Sequence, residues 1–175
     1  LREDRDGIAT LTMNRPAQMN LLTSDMLAAL QEAFDSIQKN KDIRVVVLAA
    51  AGKGFCAGHD LKEIRELREQ PKISELFAKC SAMMMSIRRM PQPVIAAVEG
   101  VAAAAGCQLV ASCDLAVASE TAQFSTPGVH IGLFCSTPMV ALNEMNVLTS
   151  MPEAAASAPP PANASAENFR TSTPT

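Results

Sequence analysis

The stretch Ile43-Arg-Val-Val-Val-Leu-Ala49, continued by Ala50-Ala-Gly-Lys-Gly-Phe-Cys-Ala-Gly-His-Asp60, decides the fold. A continuous β-branched run reads as a strand buried on both faces. The glycine-rich segment then turns the chain into a charged helix, Leu61-Lys-Glu-Ile-Arg-Glu-Leu-Arg-Glu-Gln70. A strand, a glycine loop and a helix in that order open a crossover connection between parallel strands.

Upstream, residues 7–13 (GIATLTM) read as a strand and residues 14–20 (NRPAQMN) as a polar turn. Thr23, Ser24 and Asp25 can cap a helix, along which Leu27, Leu30, Phe34 and Ile37 recur at helical spacing. Downstream, a second helix is expected from about Ile73 to Met90. Its apolar face carries Ile73, Leu76, Phe77, Cys80, Met84 and Ile87, and Met83-Met84-Met85 reads as gap-filling core. Pro91 and Pro93 end it. Residues 93–98 (PVIAAV) read as another buried strand, Glu99-Gly100 as a turn, residues 102–113 (AAAAGCQLVASC) as a short helix, and residues 114–119 (DLAVAS) as a strand. Strands and helices alternate throughout, which is an α/β pattern.

Composition narrows the function classes. Apolar residues make up 48 % and charged residues 19 %, as in an ordinary globular domain. The net charge is −3, there is no Trp or Tyr and there are six Phe, so neither a basic nucleic-acid face nor a base-stacking platform is expected. No apolar run has the length of a membrane span. The five cysteines, at 56, 80, 107, 113 and 135, are odd in number and form no Cys-x-x-Cys pair. That speaks against a disulfide framework and for a reducing compartment. Cys80, Cys107 and Cys113 read as small buried hydrophobes. After residue 142, Ala, Pro, Ser and Thr dominate and apolar periodicity vanishes. Residues 1–142 are therefore expected to form the core and residues 143–175 a low-complexity, disordered tail.

Two stretches could carry chemistry. In the first, Gly52 to Asp60, glycines would let backbone N–H groups approach an anion. No Gly-Lys-Ser/Thr follows, so a Walker A loop is excluded. A dinucleotide fingerprint needs an acid at the end of the next strand, and a helix follows here instead. A plain structural turn remains a competing reading. In the second, Gly100-Val-Ala-Ala-Ala-Ala-Gly-Cys-Gln108, small side chains leave backbone amides open to a ligand oxygen. Close helix–strand packing explains the same composition. Cys56, His59 and Asp60 are too few for a metal centre, and none is expected. Cys135 beside Ser136 lacks a base, and His130 reads as structural.

Taken together, these stretches resemble the enoyl-CoA hydratase/isomerase (crotonase) superfamily. The resemblance rests on Phe55-Cys-Ala-Gly-His-Asp-Leu-Lys-Glu63, Pro93 to Gln108, Cys113-Asp-Leu-Ala-Val-Ala-Ser119, and Phe124-Ser-Thr-Pro-Gly-Val-His-Ile-Gly132. The early Asn14-Arg-Pro-Ala-Gln-Met-Asn20 is also similar. The likeness covers about residues 1–142, in family order. It implies a ClpP/crotonase spiral of β-β-α units with the C-terminal helical region missing.

The resemblance also implies a ligand, an acyl-CoA thioester, and no permanently bound cofactor. Its carbonyl oxygen would rest between the backbone N–H groups of His59 and Ala105. Family members usually have Gly at the latter position, and Ala serves if its φ is helical. Ala57, Asp60, Leu61 and Lys62 would line the coenzyme A path, with Lys53 and Lys62 near phosphates or simply solvated. Homotrimers or hexamers and, from the most similar members, a mitochondrial location are expected. The chain begins at Leu1 rather than Met, so any targeting segment is expected to precede it.

Departures from the family decide the expected activity. The two hydratase glutamates fall at Gln108 and Gly128, and the aspartate of other members falls at Ser136. A positioned acid or base typically contributes ~10²–10⁴ in rate, and an oxyanion donor ~10²–10³. Keeping the hole while losing the acids leaves thioester binding with little hydration of 2-enoyl-CoA. A weakly active hydratase, isomerase or thioester hydrolase is the second reading. The third is a non-catalytic partner of a longer isoform, because the likeness stops near Leu142 and the exposed apolar surface would disturb normal assembly.

Overall fold

The computed structural model describes residues 1–127 and 147–149. Nine strands, four α-helices and one 3₁₀ turn lie in these residues. β1 (Arg2–Arg5) and β2 (Ile8–Met13) form an antiparallel hairpin. β2 then pairs in parallel with β3 (Val45–Ala50), β3 with β5 (Val94–Val98), β5 with β7 (Leu115–Ala118), and β7 with β9 (Val147–Thr149). A second, smaller sheet holds β4 (Gly54–Cys56), β6 (Val101–Ala103) and β8 (Gln123–Ser125), all parallel.

From β3 onward, successive strands thus alternate between the sheets. β3 is followed by β4 and then by α2 (Leu61–Leu67) and α3 (Gln70–Arg89). β5 is followed by β6 and α4 (Ala105–Ala111). This is the β-β-α spiral that the motifs imply. The buried face of the large sheet carries Ala9, Leu11, Val46, Leu48, Val94, Ala96 and Ala116. α1 (Ser24–Ile37) contributes Leu27, Leu30, Phe34 and Ile37 to the same core, and α3 contributes Leu76, Cys80, Met83, Met84 and Ile87. α1 matches its expected apolar stripe, whereas on α3 Ile73 is only partly buried, Phe77 is 44 % exposed and Met85, expected as core with Met83 and Met84, is 46 % exposed.

Local chemistry sets the helix ends. Thr23 Oγ1 accepts from the Met26 N–H at the start of α1. α2 stops at Arg68, which takes a left-handed φ of 52°, so residues 61–70 do not form the single helix expected from their charge pattern. Pro71 then sits in the first turn of α3, where a missing N–H costs nothing. Met90 is extended because Pro91 follows it.

Several strands depart from the sequence reading. β4 lies inside the presumed glycine loop, and β6 lies inside the segment read as a helix start. β9 falls within residues 143–175, which were expected to lack regular elements, where Val147-Leu148-Thr149 is a short run with β-forming side chains. Gly128, His130, Cys135 and Ser136 lie outside the described residues, as do residues 143–146 and 150–175 of the expected tail.

Candidate acyl-thioester site

The two motif loops meet. Gly58 is buried at φ +97°, and a Cβ on it would stand 3.1 Å from Ala104 Cβ, 3.2 Å from Ala103 O and 3.3 Å from Ala105 N. The segment carrying His59 therefore lies against the segment carrying Ala105. Ala105 is the first residue of α4, so its backbone is helical, the condition under which Ala replaces Gly there. As a first-turn residue it has no intrahelical acceptor for its N–H. Neither the His59 nor the Ala105 amide donates to an acceptor among the described residues.

Each loop has its own anchor. Residues 57–59 run beside residues 19–22: the Ala57 N–H donates to Met19 O (3.0 Å), the Leu22 N–H donates to Gly58 O (2.8 Å), and Leu22 bridges His59 in parallel. Ala104 holds φ 50° and ψ −120°, a conformation that an L-residue adopts only under strain. Its N–H donates to Ser125 O at 2.8 Å, tying this corner to β8. Gly106 packs straight onto β4, where a Cβ would fall on the Cys56 carbonyl and 2.8 Å from Cys56 Cβ.

The side chains expected at the site take distinct places. Asp60 caps α2, its Oδ1 accepting from the Lys62 N–H (2.9 Å) and the Glu63 N–H (3.3 Å). Its carboxylate thus starts the helix that follows the loop. Glu63 reaches back to accept from the Ser24 N–H at 3.1 Å, joining α2 to the start of α1. Ala57 is half-buried, whereas Lys53, Leu61 and Lys62 are exposed, and Lys62 stands 4.0 Å from Glu66. Gln108 is half-buried on α4, and its side-chain amide has no hydrogen-bond partner among the described residues.

The His59 ring is held on two sides. Nδ1 lies 3.3 Å from Leu22 O, and the Phe77 ring meets it edge-on, with centroids 5.0 Å apart and planes at 86°. A carbonyl only accepts, so Nδ1 carries the proton and a neutral ring keeps its lone pair on Nε2. Burial pushes the His59 pKa below the usual histidine value, against the smaller opposing effects of Leu22 O and Glu63. A depressed folded-state pKa means that the unfolded chain binds the proton more readily just below neutrality. Stability is therefore fully present above pH ~6.5 and declines as the pH falls through the folded-state value. Replacing His59 with Asn, whose amide can still donate to Leu22 O, should flatten this slope. Melting temperatures taken at pH 7.5 and pH 5 check it, and equal slopes in the two proteins would remove His59 as the cause.

Burial raises the thiols of Cys56 and Cys113 to about 12, and those of Cys80 and Cys107 to about 11. They stay protonated and inert. Among the described residues no group of three or more His, Cys, Asp or Glu could hold a metal ion, and no helix is long and apolar enough to cross a membrane. Sequence reasoning missed Asn20, Ala104 and the His59–Phe77 contact. Asn20 lies in the quoted Asn14–Asn20 stretch, which was the one signal available.

A β-β-α spiral with touching 57–59 and 104–106 loops defines a known class. The enoyl-CoA hydratase/isomerase family profile matches residues 3–147, and the chain belongs to that family. Within it, the chain is 50 % identical over 137 residues to the human protein named "Enoyl-CoA hydratase domain-containing protein 3, mitochondrial", covering 78 % of this chain and 45 % of that protein. The crystal structure of the human protein superposes with a TM-score of 0.78 at 48 % identity, over 82 % of this chain and 56 % of that one. An enoyl-CoA hydratase structure from Mycobacterium smegmatis gives 0.78 at 55 % identity over the same shares. The chain spans about half the length of the curated relatives it matches.

Proposed function

We propose that this domain binds acyl-CoA thioesters through the His59 and Ala105 backbone amides and does not support efficient hydration. The observation that carries this reading is the contact between Gly58 and the Ala104–Ala105 peptide, which brings the two amide-bearing segments together. Two N–H groups sharing one oxygen stabilise a polarised thioester carbonyl or its enolate far better than water does. Gln108 can orient a water or a carbonyl by hydrogen bonding, but it cannot shuttle a proton as a glutamate does. With Gly128 and Ser136 at the other acid positions, the chain lacks the pair that adds water across a double bond.

Ala57 to Lys62 would follow the coenzyme A moiety, with Asp60 acting through its cap. No metal or permanently bound cofactor is required by this scheme. The names of the matched relatives support a mitochondrial location, and the family likeness supports a role in fatty-acid metabolism and a homotrimer or hexamer.

Calorimetric titration separates the carbonyl site from the nucleotide site. Acetyl-CoA should bind about tenfold more tightly than free coenzyme A, a modest return for two amide donors. Equal affinities would discard the amide pair as a carbonyl site. Turnover of crotonyl-CoA should stand at least ~10²-fold below that of a hydratase with both acids. A hydratase-like rate would overturn the non-hydrating reading.

A further inference from the structure

We propose that Asn20 is the positioning residue of the His59–Ala105 amide pair, acting as a buried clasp beneath the loop that carries His59. Its side chain is fully buried and every polar function on it is used. Oδ1 accepts from the Arg15 N–H at 2.8 Å, and Nδ2 donates to Ala51 O at 3.0 Å and to Gly54 O at 2.9 Å. Those three partners belong to the 15–20 turn, the exit of β3 and the entry of β4. One amide therefore joins the turn to both ends of the 51–54 connection.

The consequence reaches the site through the backbone. Met19 and Leu22, on either side of Asn20, hold Ala57 and Gly58 by the 3.0 and 2.8 Å bonds already described, and Leu22 O accepts a hydrogen bond from His59 Nδ1. Residues 19–22 act as a rail for residues 57–59, and Asn20 bolts that rail to the sheet. The rail itself is bent: Met19 and Asn20 both have left-handed φ, 50° and 51°. Asn tolerates that conformation better than most residues, yet alone it gives no reason for complete burial. The three hydrogen bonds do, because an unsatisfied buried amide is costly. The role depends on the acyl-thioester reading above for its functional meaning, and on the geometry alone for its mechanical meaning.

Two variants probe the clasp. Asn20→Asp keeps the shape and the acceptor for the Arg15 N–H but turns a carboxylate oxygen toward two carbonyls. Asn20→Gly removes all three bonds and accepts the left-handed backbone without strain, so it serves if the aspartate variant does not fold. Gln92→Leu is the control. Gln92 is also buried and donates to Ile37 O and Asn40 O, at the end of α1 rather than at the site.

Two readouts are compared across the full-length variants: the ratio of acetyl-CoA to free coenzyme A affinity, and hydrogen exchange of the Ala57 and Leu22 amides without ligand. The Asn20 variants should lose about tenfold of the thioester preference and exchange those amides at least about tenfold faster. The Gln92 variant, compared at equal distance below its melting temperature, should do neither. A folded Asn20 variant with wild-type preference and wild-type exchange overturns the proposal. So does a Gln92 variant that reproduces both losses, because the effect is then general destabilisation. Should the wild-type chain itself show no thioester preference, the functional reading falls. Exchange then decides the clasp alone: faster exchange confined to the Asn20 variants upholds it, and unchanged exchange removes it.

Discussion

Gly106→Ala should cost at least ~3 kcal/mol of stability, out of the ~5–15 kcal/mol typical of a domain, and lower the melting temperature by roughly 10 °C. The added methyl would fall on the Cys56 carbonyl and crowd Cys56 Cβ. Overpacking a core usually costs ~1–3 kcal/mol because a flexible side chain can yield. Here the neighbour is the backbone of β4, which pairs with β6, while α4 follows directly from β6. Helix and strand cannot separate without stretching that short connection. The same displacement would pull Ala105 away from His59, so thioester preference should vanish in whatever fraction still folds. Thermal unfolding followed by circular dichroism reads the first effect. A shift smaller than about 3 °C would mean that α4 floats more freely over β4 than its packing indicates.

Gly58→Ala should leave a folded protein with a crippled carbonyl site. The residue stands at φ +97°, so an L side chain adds strain of ~1–3 kcal/mol. More specifically, the new methyl would press on Ala103 O, Ala104 Cβ and Ala105 N at 3.1–3.3 Å. Each contact is tight enough to force the two loops apart by a few tenths of an ångström. Amide donors aimed at one oxygen tolerate about 0.5 Å of misplacement, so this variant operates at that limit. Acetyl-CoA affinity should fall about tenfold, erasing its preference over free coenzyme A, while free coenzyme A binding changes only slightly. Parallel loss of both ligands would indicate collapse of the whole 52–60 loop instead. Unchanged binding of both would show that the carbonyl does not rest between these loops.

The long elements were legible because their periods are long enough to read. Leu27, Leu30, Phe34 and Ile37 mark α1 at helical spacing, and all four are buried. β3 announced itself as an unbroken aliphatic run. The second sheet was not legible, since β4, β6 and β8 have three residues each and no period fits in three residues. Its existence follows from the family likeness rather than from the pattern. β1 was missed because Arg-Glu-Asp-Arg carries no apolar alternation. Yet Asp6-Gly7, with φ 53° and 81°, is the kind of dipeptide that closes a tight hairpin and could have exposed it.

The site divides in the same way. His59 and Ala105 were named from motif correspondence, because any residue supplies a backbone amide and composition is blind to it. Asn20 looked like one more polar residue in a turn, and nothing local reveals that two of its three partners, Ala51 and Gly54, lie more than thirty positions away. Ala104 carried no signal at all, since alanine is the last residue expected at a positive φ.

The charged hairpin strand has a bearing on how copies of this chain can meet. β1 forms one border of the large sheet, and all four of its residues are exposed. Arg2 and Asp4 are paired there at 2.6 Å, while Arg2 also donates to Ser36 Oγ at 3.1 Å and fastens the strand to α1. A border of alternating charge, already engaged with its own neighbours, is a poor template for an incoming strand. Growth of the sheet by strand addition is disfavoured at that end.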